Sequence, residues 1–493
     1  MLKKVDTLVV GAGAGGLAMC LFLAKTGRKI LLIEKASQIG GALASFHKDG
    51  LVFDAGFHFT GALQNDGIFD RILKVLDLRD RISPVFLNDD AANIFNFTDS
   101  GKQIKFPYGI QKIKKTLKGY FPGESLAVDN YFQTVERICT NTPTLNLDSM
   151  HVSHIPVKED YITLKSYMDG LTDNKLLKEV LSAFVMCHGT PPSEISMADN
   201  ARLSIGFYES ICTLQGGGSS LVNAFHSELK KYDVEILTSE EIKQLADIKD
   251  KKVGRFILKS GLEVIADECV FTLSPGLIAD ILPEKHFPPA FFNRMHSFEY
   301  TPGFFTIFAE LLSSAEPENS DSIVSLYPET DIDALAKPGR GNRPGALAIL
   351  HSKSNGKNVL TAFEPVYWEV LSEWKDSLLQ KRPNGYYRWK EEKTNEMLER
   401  IYEYYPKYRN KINVITAGTP LTYRDYLNHT QGAAYGIRQK IEQYNLIGQL
   451  RLKNLYCAGQ SAILPGVLGT IMASMLVAKN IIGAEQFKKI IKI

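Results

Sequence analysis

A glycine-rich segment near the amino terminus is followed, about 20 residues further along, by a glutamate. Gly11, Gly13 and Gly16 have the spacing G-x-G-x-x-G. Glycines at this spacing permit a tight turn, let the backbone approach a pyrophosphate and let a helix lie close to a strand. Glu34 has the position of a carboxylate that accepts hydrogen bonds from a ribose. We therefore predict a dinucleotide-binding site, and its turn consists of Gly11, Ala12, Gly13, Ala14, Gly15 and Gly16.

The elements that must position this turn can be read from the flanking residues. Residues 6–10 form a short apolar run suited to a buried parallel strand, and residues 17–25 carry apolar side chains at helical spacing. Residues 29–33 are a second apolar run, and this run ends at Glu34. The order strand, glycine turn, helix, strand, carboxylate is the context in which the glycine spacing indicates a nucleotide.

The middle of the chain interrupts this unit twice. Residues 108–202 have mostly helical periodicity, and residues 288–420 form a second insertion that is rich in aromatic side chains and fits an apolar tunnel. Between them, alternating patterns predict strands at 233–237, 254–258 and 263–271. We expect these strands to return to the first sheet.

Composition narrows the class of protein. The chain has 493 residues, 44% of them hydrophobic and 23% charged, so it is globular and long enough for two or three domains. The net charge is +2, which gives no reason to expect nucleic acid as a partner. The six cysteines are scattered and form no C-x-x-C, so we predict no metal site and a reducing cytoplasm.

Two uncharged runs superficially resemble membrane or targeting segments. Residues 7–24 follow two lysines but contain four glycines, and residues 455–478 are interrupted by Pro465 and Gly466. We interpret both runs as strand-turn-helix units and expect neither a cleaved leader nor a transmembrane helix. This expectation leaves peripheral contact with the cytoplasmic membrane open.

The segment after the second strand resembles the FAD-binding pattern of the superfamily that includes amine oxidases and phytoene desaturases. Its glycine doublet is often followed by arginine there, whereas Ala42 stands at that position here. Residues 452–461 and 465–471 resemble the closing FAD motif, whose glycine and glutamine contact the pyrophosphate and ribityl chain. The resemblance implies non-covalent FAD, and it adds to the binding residues Lys35, Gly40, Gly41, Ala42, Leu43, Gly459, Gln460, Val467, Leu468 and Gly469.

With both ends matched, the chain resembles the carotenoid isomerase, retinol saturase and phytoene desaturase family from end to end. Residues 53–61, 216–220 and 421–436 are similar to further segments of that family, and Ile242 matches its backbone contact to adenine. The implied α/β fold is a Rossmann-like FAD-binding domain of the glutathione-reductase and amine-oxidase type, with an inserted helical and mixed α+β substrate domain. We expect FAD-binding parts at 1–105, 206–287 and 421–493, a helical substrate or membrane-side insertion at 106–205, and a substrate domain at 288–420.

The resemblance implies hydride exchange between flavin N5 and a carbon of a hydrophobic polyene or isoprenoid, in the saturase or the desaturase direction. Candidate catalytic residues for the accompanying proton are His58, His188 and Tyr435, each of which has an alternative role in packing or at a helix end. There is no second dinucleotide fingerprint, so we expect an external electron donor or acceptor. Polyene isomerisation without net redox change, amine oxidation, and a non-catalytic lipid carrier of the same fold are the alternatives.

One helical segment suggests a membrane-facing surface. Residues 111–121 contain four lysines together with an apolar stripe at Ile113, Leu117, Tyr120 and Phe121. This pattern is typical of a helix that lies on an anionic membrane, and it is also typical of a core-facing helix with solvated lysines. We take the membrane interpretation as the hypothesis for where a lipophilic substrate enters.

Overall fold

The computed structural model describes residues 2–151 and 155–492. The strands are numbered in chain order. They are β1 (Leu2–Val10), β2 (Ile30–Ile33), β3 (Ser45–Lys48), β4 (Leu51–Asp54), β5 (Thr60–Gly61), β6 (Pro84–Phe86), β7 (Asn93–Phe97), β8 (Lys102–Phe106), β9 (Ile211–Leu214), β10 (Glu235–Leu237), β11 (Ile242–Ala246), β12 (Arg255–Leu258), β13 (Glu263–Phe271), β14 (Gly303–Leu311), β15 (Ile323–Tyr327), β16 (Leu347–Ser354), β17 (Lys357–Val366), β18 (Ile412–Gly418), β19 (Gly448–Gln449) and β20 (Leu455–Cys457).

The α-helices are numbered in the same way. They are α1 (Ala14–Ala24), α2 (Ile68–Val75), α3 (Ile110–Tyr120), α4 (Ser125–Thr140), α5 (Leu164–Leu171), α6 (Lys175–Ser182), α7 (Met197–Glu209), α8 (Gly217–Lys231), α9 (Pro275–Ile281), α10 (Pro289–Ser297), α11 (Ile332–Leu335), α12 (Asn384–Tyr404), α13 (Pro420–Leu427), α14 (Gly466–Ile482) and α15 (Ala484–Ile491).

The first sheet contains a parallel core in the order β10-β2-β1-β13, and β20 pairs in parallel with the last part of β13. The strands end together, because Val10 lies opposite Ile33 and Phe271, while Leu237 and Cys457 continue the same row outward. Their apolar runs are buried on both faces, as in α/β proteins whose sheets are covered by helices. This Rossmann-like arrangement confirms the predicted fold class.

The strands predicted at 233–237, 254–258 and 263–271 do return to the first sheet. They correspond to β10, β12 and β13, and β11 and β12 form an antiparallel extension on the β13 edge. Helices α1 and α14 cross one face of this sheet close together, since a Cβ placed on Gly15 would lie 3.0 Å from Cγ2 of Thr470. The two ends of the chain are therefore joined in one structural unit.

The second sheet has the order β18-β14-β17-β16-β15-β7-β8. It includes β7 and β8, although both were assigned by the sequence to the first FAD-binding part at 1–105. The reason is that residues 93–97 pair in parallel with Ile323–Tyr327, which lie far away along the chain. The insertion at 106–205 is mainly helical, from α3 to α7, and packs beside this sheet.

Helix α3 and its end bury three of the four side chains of the apolar stripe, and Tyr120 is 42% exposed. Ile113 and Leu117 are fully buried in the core, where they pack with α4 and α7. Lys112 forms ion pairs with Asp89 and Asp90, and the Nζ atoms of Lys114 and Lys118 lie 2.9 and 2.7 Å from the carboxylate oxygens of Asp129. The membrane interpretation of residues 111–121 is therefore corrected to a core-facing helix with paired lysines.

Within the described ranges, no helix is both long and apolar enough to cross a membrane, and no group of three or more acidic, histidine or cysteine side chains is arranged to hold a metal ion. All six cysteines are free thiols. The predicted cytoplasmic location stays a prediction.

Candidate functional site

A first cavity of about 730 Å³ lies at the carboxyl ends of the parallel strands. The residues that follow three neighbouring strands line it: Gly11 after β1, Glu34 after β2 and Thr272 after β13. Because these strands end in register, the chain turns that follow them meet at one edge of the sheet. Open α/β sheets bind ligands at this edge.

The glycines of the first cavity leave room for a ligand's phosphates. A Cβ placed on Gly13 would meet no atom within 4 Å, so the space beside it is open. A Cβ on Gly41 would lie 3.2 Å from Cα of Gly13, so the two glycine segments are in direct contact at the edge of this space. A Cβ on Gly16 would lie 1.8 Å from the carbonyl oxygen of Gly11, so no larger residue fits at the third glycine of the pattern. The residues present therefore fit the pyrophosphate of a dinucleotide.

Glu34 is placed to bind a ribose. Its Oε2 accepts a hydrogen bond from the backbone N–H of Ala12 at 2.7 Å, and its Oε1 accepts one from Ala36 at 2.8 Å. Each carboxylate oxygen keeps a second lone pair, so both can also accept from ribose hydroxyls. Lys35, which is 3.2 Å from Glu241, and the mostly buried Ile242 line the same cavity.

The carboxyl-terminal segment closes the opposite side of the first cavity. Gln460 lines it and donates a hydrogen bond from Nε2 to the carbonyl oxygen of Ala434 at 2.9 Å. Gly459 does not line the cavity, but a Cβ there would lie 3.2 Å from the carbonyl oxygen of Thr272, so this glycine lets β20 and β13 end close together. Val467, in the first turn of α14, brings helix N–H groups and their partial positive charge to the cavity wall.

The predicted cofactor-binding residues divide into two groups. Those that line the first cavity are Gly11, Gly13, Ala14, Gly15, Glu34, Lys35, Gly40, Gly41, Ala42, Leu43, Ile242, Gln460 and Val467. Ala12, Gly16 and Gly459 support the turns from behind, and Leu468 and Gly469 line a neighbouring cavity.

This second cavity, of about 610 Å³, adjoins the first. Residues that line both cavities are Ala42, Gly56, Phe57, Leu427, His429, Ala434, Tyr435, Gly466 and Val467. Aromatic side chains form much of the second cavity's wall: the Phe304 and Phe363 rings lie 5.0 Å apart, and those of Phe59 and Phe207 lie 5.8 Å apart. The arrangement places an aromatic chamber beside a nucleotide site.

His58 lies in the wall of the second cavity. Its imidazole stacks on Phe363 with ring centroids 5.0 Å apart, and no hydrogen bond joins its ring nitrogens to another described residue. Burial lowers the pKa of His58 to about 4, because the charged imidazolium would lose hydration. The side chain is therefore neutral at physiological pH and has a ring nitrogen free to accept a proton.

His188 lines the same cavity but is tied to the protein by both nitrogens. Its Nδ1 accepts from the backbone N–H of Thr190 at 3.4 Å, and Nε2 lies 3.4 Å from Oδ1 of Asn200. It follows the 3-10 helix Ala183–Cys187 and is 2% exposed. Burial lowers the pKa of His188 to about 4. These contacts fit the alternative role at a helix end better than catalysis.

Tyr435 lies where the two cavities meet. Its ring packs against Phe304 at 6.1 Å, and its hydroxyl has no hydrogen-bond partner among the described residues. Burial raises the pKa of the Tyr435 hydroxyl, so it stays protonated.

His429 also lines both cavities, and the sequence analysis did not select it. Its Nδ1 donates to the carbonyl oxygen of Ala433 at 3.0 Å, which leaves Nε2 as an acceptor. Burial lowers the pKa of His429. Its place inside the motif-bearing segment 421–436 was the only signal in the sequence.

Comparison with known proteins agrees with this geometry. A model of the NAD(P)-binding Rossmann-like domain family matches residues 9–74, which contain the glycine turn, Glu34 and the glycine doublet. A solved structure of putrescine oxidase is similar over 98% of this chain and all of that chain, with a TM-score of 0.66 at 12% sequence identity. The fold is therefore the amine-oxidase type of Rossmann-like fold.

The sequence relatives extend over almost the whole chain. All-trans-retinol 13,14-reductase from Danio rerio is 26% identical over 96% of this chain and 85% of that protein. Chloroplastic prolycopene isomerase from Daucus carota is 22% identical over 98% of this chain and 81% of that protein. Together with the motifs at both chain ends, these matches confirm the predicted resemblance to the retinol saturase and carotenoid isomerase family.

Proposed function

We propose that the protein is an FAD-dependent oxidoreductase that acts on carbon–carbon double bonds of a hydrophobic polyene. FAD would be held without a covalent bond in the first cavity, with its ribose at Glu34 and its pyrophosphate in the open space beside Gly13. The observation that carries the proposal is the junction of the two cavities at Tyr435 and the amino terminus of α14. A flavin ring at this junction would face the aromatic chamber.

Bound FAD would supply hydride exchange at its N5. The residues of the chain then have three tasks. The amino terminus of α14 places positive potential beside the ring site. The aromatic walls at Phe304, Phe363 and Phe207 hold an apolar substrate and exclude water. His58 accepts or returns the substrate proton at a ring nitrogen, and the protonated Tyr435 hydroxyl lies where the two cavities meet.

The reaction is tested with purified, flavin-bound protein that is reduced anaerobically and mixed with a conjugated polyene such as all-trans-retinol. We expect the polyene absorbance to bleach as the flavin absorbance returns in equal amount, with a product two hydrogens heavier by mass spectrometry. A protein that contains no flavin, or a reduced flavin that no polyene or retinoid reoxidises, would contradict the proposal.

Isomerisation is the second candidate, because relatives of comparable coverage are named prolycopene isomerases. The same site would serve isomerisation, since that reaction involves no net redox change and leaves the mass of the substrate unchanged. A product of altered retention time and identical mass, formed without net flavin oxidation, would identify this reaction. If the protein saturates or desaturates its substrate, electrons come from or go to a separate partner.

Peripheral membrane contact is part of the proposal, but its location moves away from α3. Leu378, Leu379, Tyr387 and Tyr426 are 40% to 67% exposed. Arg424 of α13 donates a hydrogen bond to the carbonyl oxygen of Ser377 at 3.2 Å and so holds the segment with Leu378 and Leu379 beside α13. Tyr426, also on α13, lines the first cavity. Residues 375–388 also carry four cationic side chains and one carboxylate, and one of these cations, Arg382, is buried and paired with Asp425. Apolar side chains with a positive surround suit an anionic bilayer.

Vesicle co-sedimentation at low salt tests this surface. Replacing Leu378 and Leu379 with serine should reduce binding to anionic vesicles several-fold and leave flavin content unchanged. The matched control replaces Lys112, Lys114, Lys115 and Lys118 with glutamine, and it should bind as the unchanged protein does. Loss of binding in the control alone would restore α3 as the membrane-facing element.

A further inference from the structure

Two polar side chains stand among the described residues that line both cavities. They are His429 and Tyr435, and the other shared residues are glycines or carry apolar side chains. Glu34 lines the first cavity alone, so an FAD molecule with its ribose at Glu34 extends its flavin ring toward the shared residues. The side-chain hydrogen-bonding groups that the ring meets there are therefore those of His429 and Tyr435.

His429 and Tyr435 offer the ring opposite groups. The Tyr435 hydroxyl stays protonated and can donate. Burial lowers the pKa of His429, so its imidazole is neutral at physiological pH and has a single N–H. That N–H is at Nδ1, which donates to the carbonyl oxygen of Ala433 at 3.0 Å, so Nε2 can only accept. Nε2 has no hydrogen-bond partner among the described residues, and it is not fully buried.

The loop that carries His429 is fixed by contacts with two other parts of the chain. The hydroxyl oxygens of Thr430 and Ser274 lie 2.7 Å apart, which joins the loop to the turn after β13. A Cβ on Gly432 would lie 2.0 Å from the carbonyl oxygen of Pro420, so the loop also packs tightly on the first turn of α13. The imidazole is therefore in position before a ligand arrives, as a group that tunes a cofactor must be.

Reduction changes the hydrogen-bonding groups of a flavin ring. Two electrons and one proton convert the oxidised ring to its anionic reduced form, and the proton is then carried by N5, the atom that exchanges hydride. An acceptor therefore becomes a donor at that atom. In a site with few other polar groups, a neutral acceptor such as Nε2 of His429 stabilises this new N–H, whereas a buried N–H without a partner costs free energy.

We propose that Nε2 of His429 accepts a hydrogen bond from the N–H that the flavin ring gains on reduction, and that His429 thereby raises the reduction potential of the bound cofactor. The inference rests on the proposed function, since that function assigns FAD to the first cavity. The amino terminus of α14 acts in the same direction, because its partial positive charge favours a negatively charged reduced ring. Both features favour the reduced state, so a weaker external reductant suffices to supply electrons to the protein.

The test measures the midpoint potential of the bound flavin rather than turnover. Flavin-bound protein is titrated anaerobically with dithionite in the presence of a reference dye, and the absorbances of flavin and dye give the potential. His429→Leu should weaken binding of the reduced flavin about tenfold relative to the oxidised flavin, which lowers the two-electron potential by about 30 mV. The affinity for oxidised FAD should stay within about threefold, because the lost hydrogen bond exists in the reduced state alone.

Two further variants separate the free acceptor from the hydrogen bond to Ala433. In His429→Asn the shorter amide can still donate to Ala433 but has no acceptor at the position of Nε2, so the potential should fall as in His429→Leu. In His429→Gln the longer amide can place its oxygen near that position, so the ratio should stay within about threefold of the unchanged protein. His226→Leu, on the exposed face of α8 and outside both cavities, is the matched control and should not change the potential. If His429→Leu does not fold, His429→Asn takes its place.

The outcomes separate this inference from the proposed function. An unchanged potential in His429→Leu and His429→Asn would overturn the role of His429 and leave the proposed function standing, because flavin content and the polyene reaction are measured independently. A fall in His429→Gln without one in His429→Asn would assign the effect to the contact with Ala433, and it would also overturn the inference. Absence of flavin from the unchanged protein would overturn the proposed function and the role of His429 together.

Discussion

At the scale of single residues, the first cavity depends on glycines, which have no side chain to fill it. Gly13 borders an open space, since a Cβ there would meet no atom within 4 Å, and Gly41 packs directly against Gly13. Glu34 supplies a carboxylate that already accepts two backbone hydrogen bonds. The site is therefore shaped before any ligand arrives, which lowers the cost of ordering it.

The open space beside Gly13 gives the first prediction. Gly13→Val should abolish FAD binding, because its side chain would occupy the pyrophosphate position, while the fold stays intact because a Cβ there meets no protein atom. Flavin absorbance of the purified variant measures the loss, and circular dichroism checks the fold. Gly119→Val, which also meets no atom within 4 Å but lies at the end of α3, is the control. A yellow, flavin-replete Gly13→Val protein would contradict the assignment.

The residues of the first cavity were predictable because their signal is local. Gly11, Gly13 and Glu34 follow apolar strands by fixed short spacings, so the chain itself shows that they meet at one sheet edge. His429 was not predictable in this way. It becomes part of the two cavities only through contacts between distant segments, and a lone histidine in the sequence carries no such information.

At the scale of elements, α12 is fastened to the second sheet by buried charge. Glu364 of β17 is 1% exposed and forms ion pairs with Lys393 and Arg400 of α12. Glu396, on the same helix, lies 2.8 Å from Lys393. Because removing one partner of a buried pair leaves an uncompensated charge, such contacts are costly to break.

The second prediction follows from this cluster. Glu364→Gln should lower the free energy of unfolding by about 3 kcal/mol, at the lower end for a broken buried pair because Glu396 still faces the two cations. Urea denaturation measures the change. Glu399 also lies on α12 and forms an exposed ion pair with Arg409, which follows the helix. Glu399→Gln should therefore lower the free energy of unfolding by less than about 1 kcal/mol. Equal effects of the two substitutions would show that burial does not set the strength of these pairs.

Element types were predicted better than element partners. The periodicity that marked α1, β2 and β13 depends only on neighbouring residues, and the structure confirms it. The placement of β7 in the second sheet depends on its pairing with β15, and nothing in residues 93–97 names that partner. The stripe on α3 was equally ambiguous, because a core-facing and a membrane-facing helix share one pattern.

At the scale of the whole molecule, the first cavity is built from three separate parts of the chain. Gly13, Ile242 and Gln460 line it from the first, middle and last parts of the chain. A ligand that contacts all three binds the folded chain and not the unfolded one. Its binding energy is therefore added to the stability of the entire unit.

The third prediction uses this linkage. FAD added to cofactor-free protein at 100 times its dissociation constant should raise the free energy of unfolding by about 2.7 kcal/mol. A thermal-shift measurement should show that FAD raises the Tm of the unchanged protein and does not raise the Tm of Gly13→Val. An unchanged Tm in both proteins would mean that FAD is not the ligand of this cavity.

The pairing of β20 with β13 also bears on how the protein is made. Strand β1 leaves the ribosome early, but the sheet edge that completes its surroundings includes residues 455–457. At roughly 5 to 20 residues per second, translation separates the two by roughly 20 to 90 s. During this interval the apolar strand β2 and helix α1 have no finished sheet to cover them. We therefore expect the nascent chain to need chaperone protection, and to take up its nucleotide only after synthesis has passed α14.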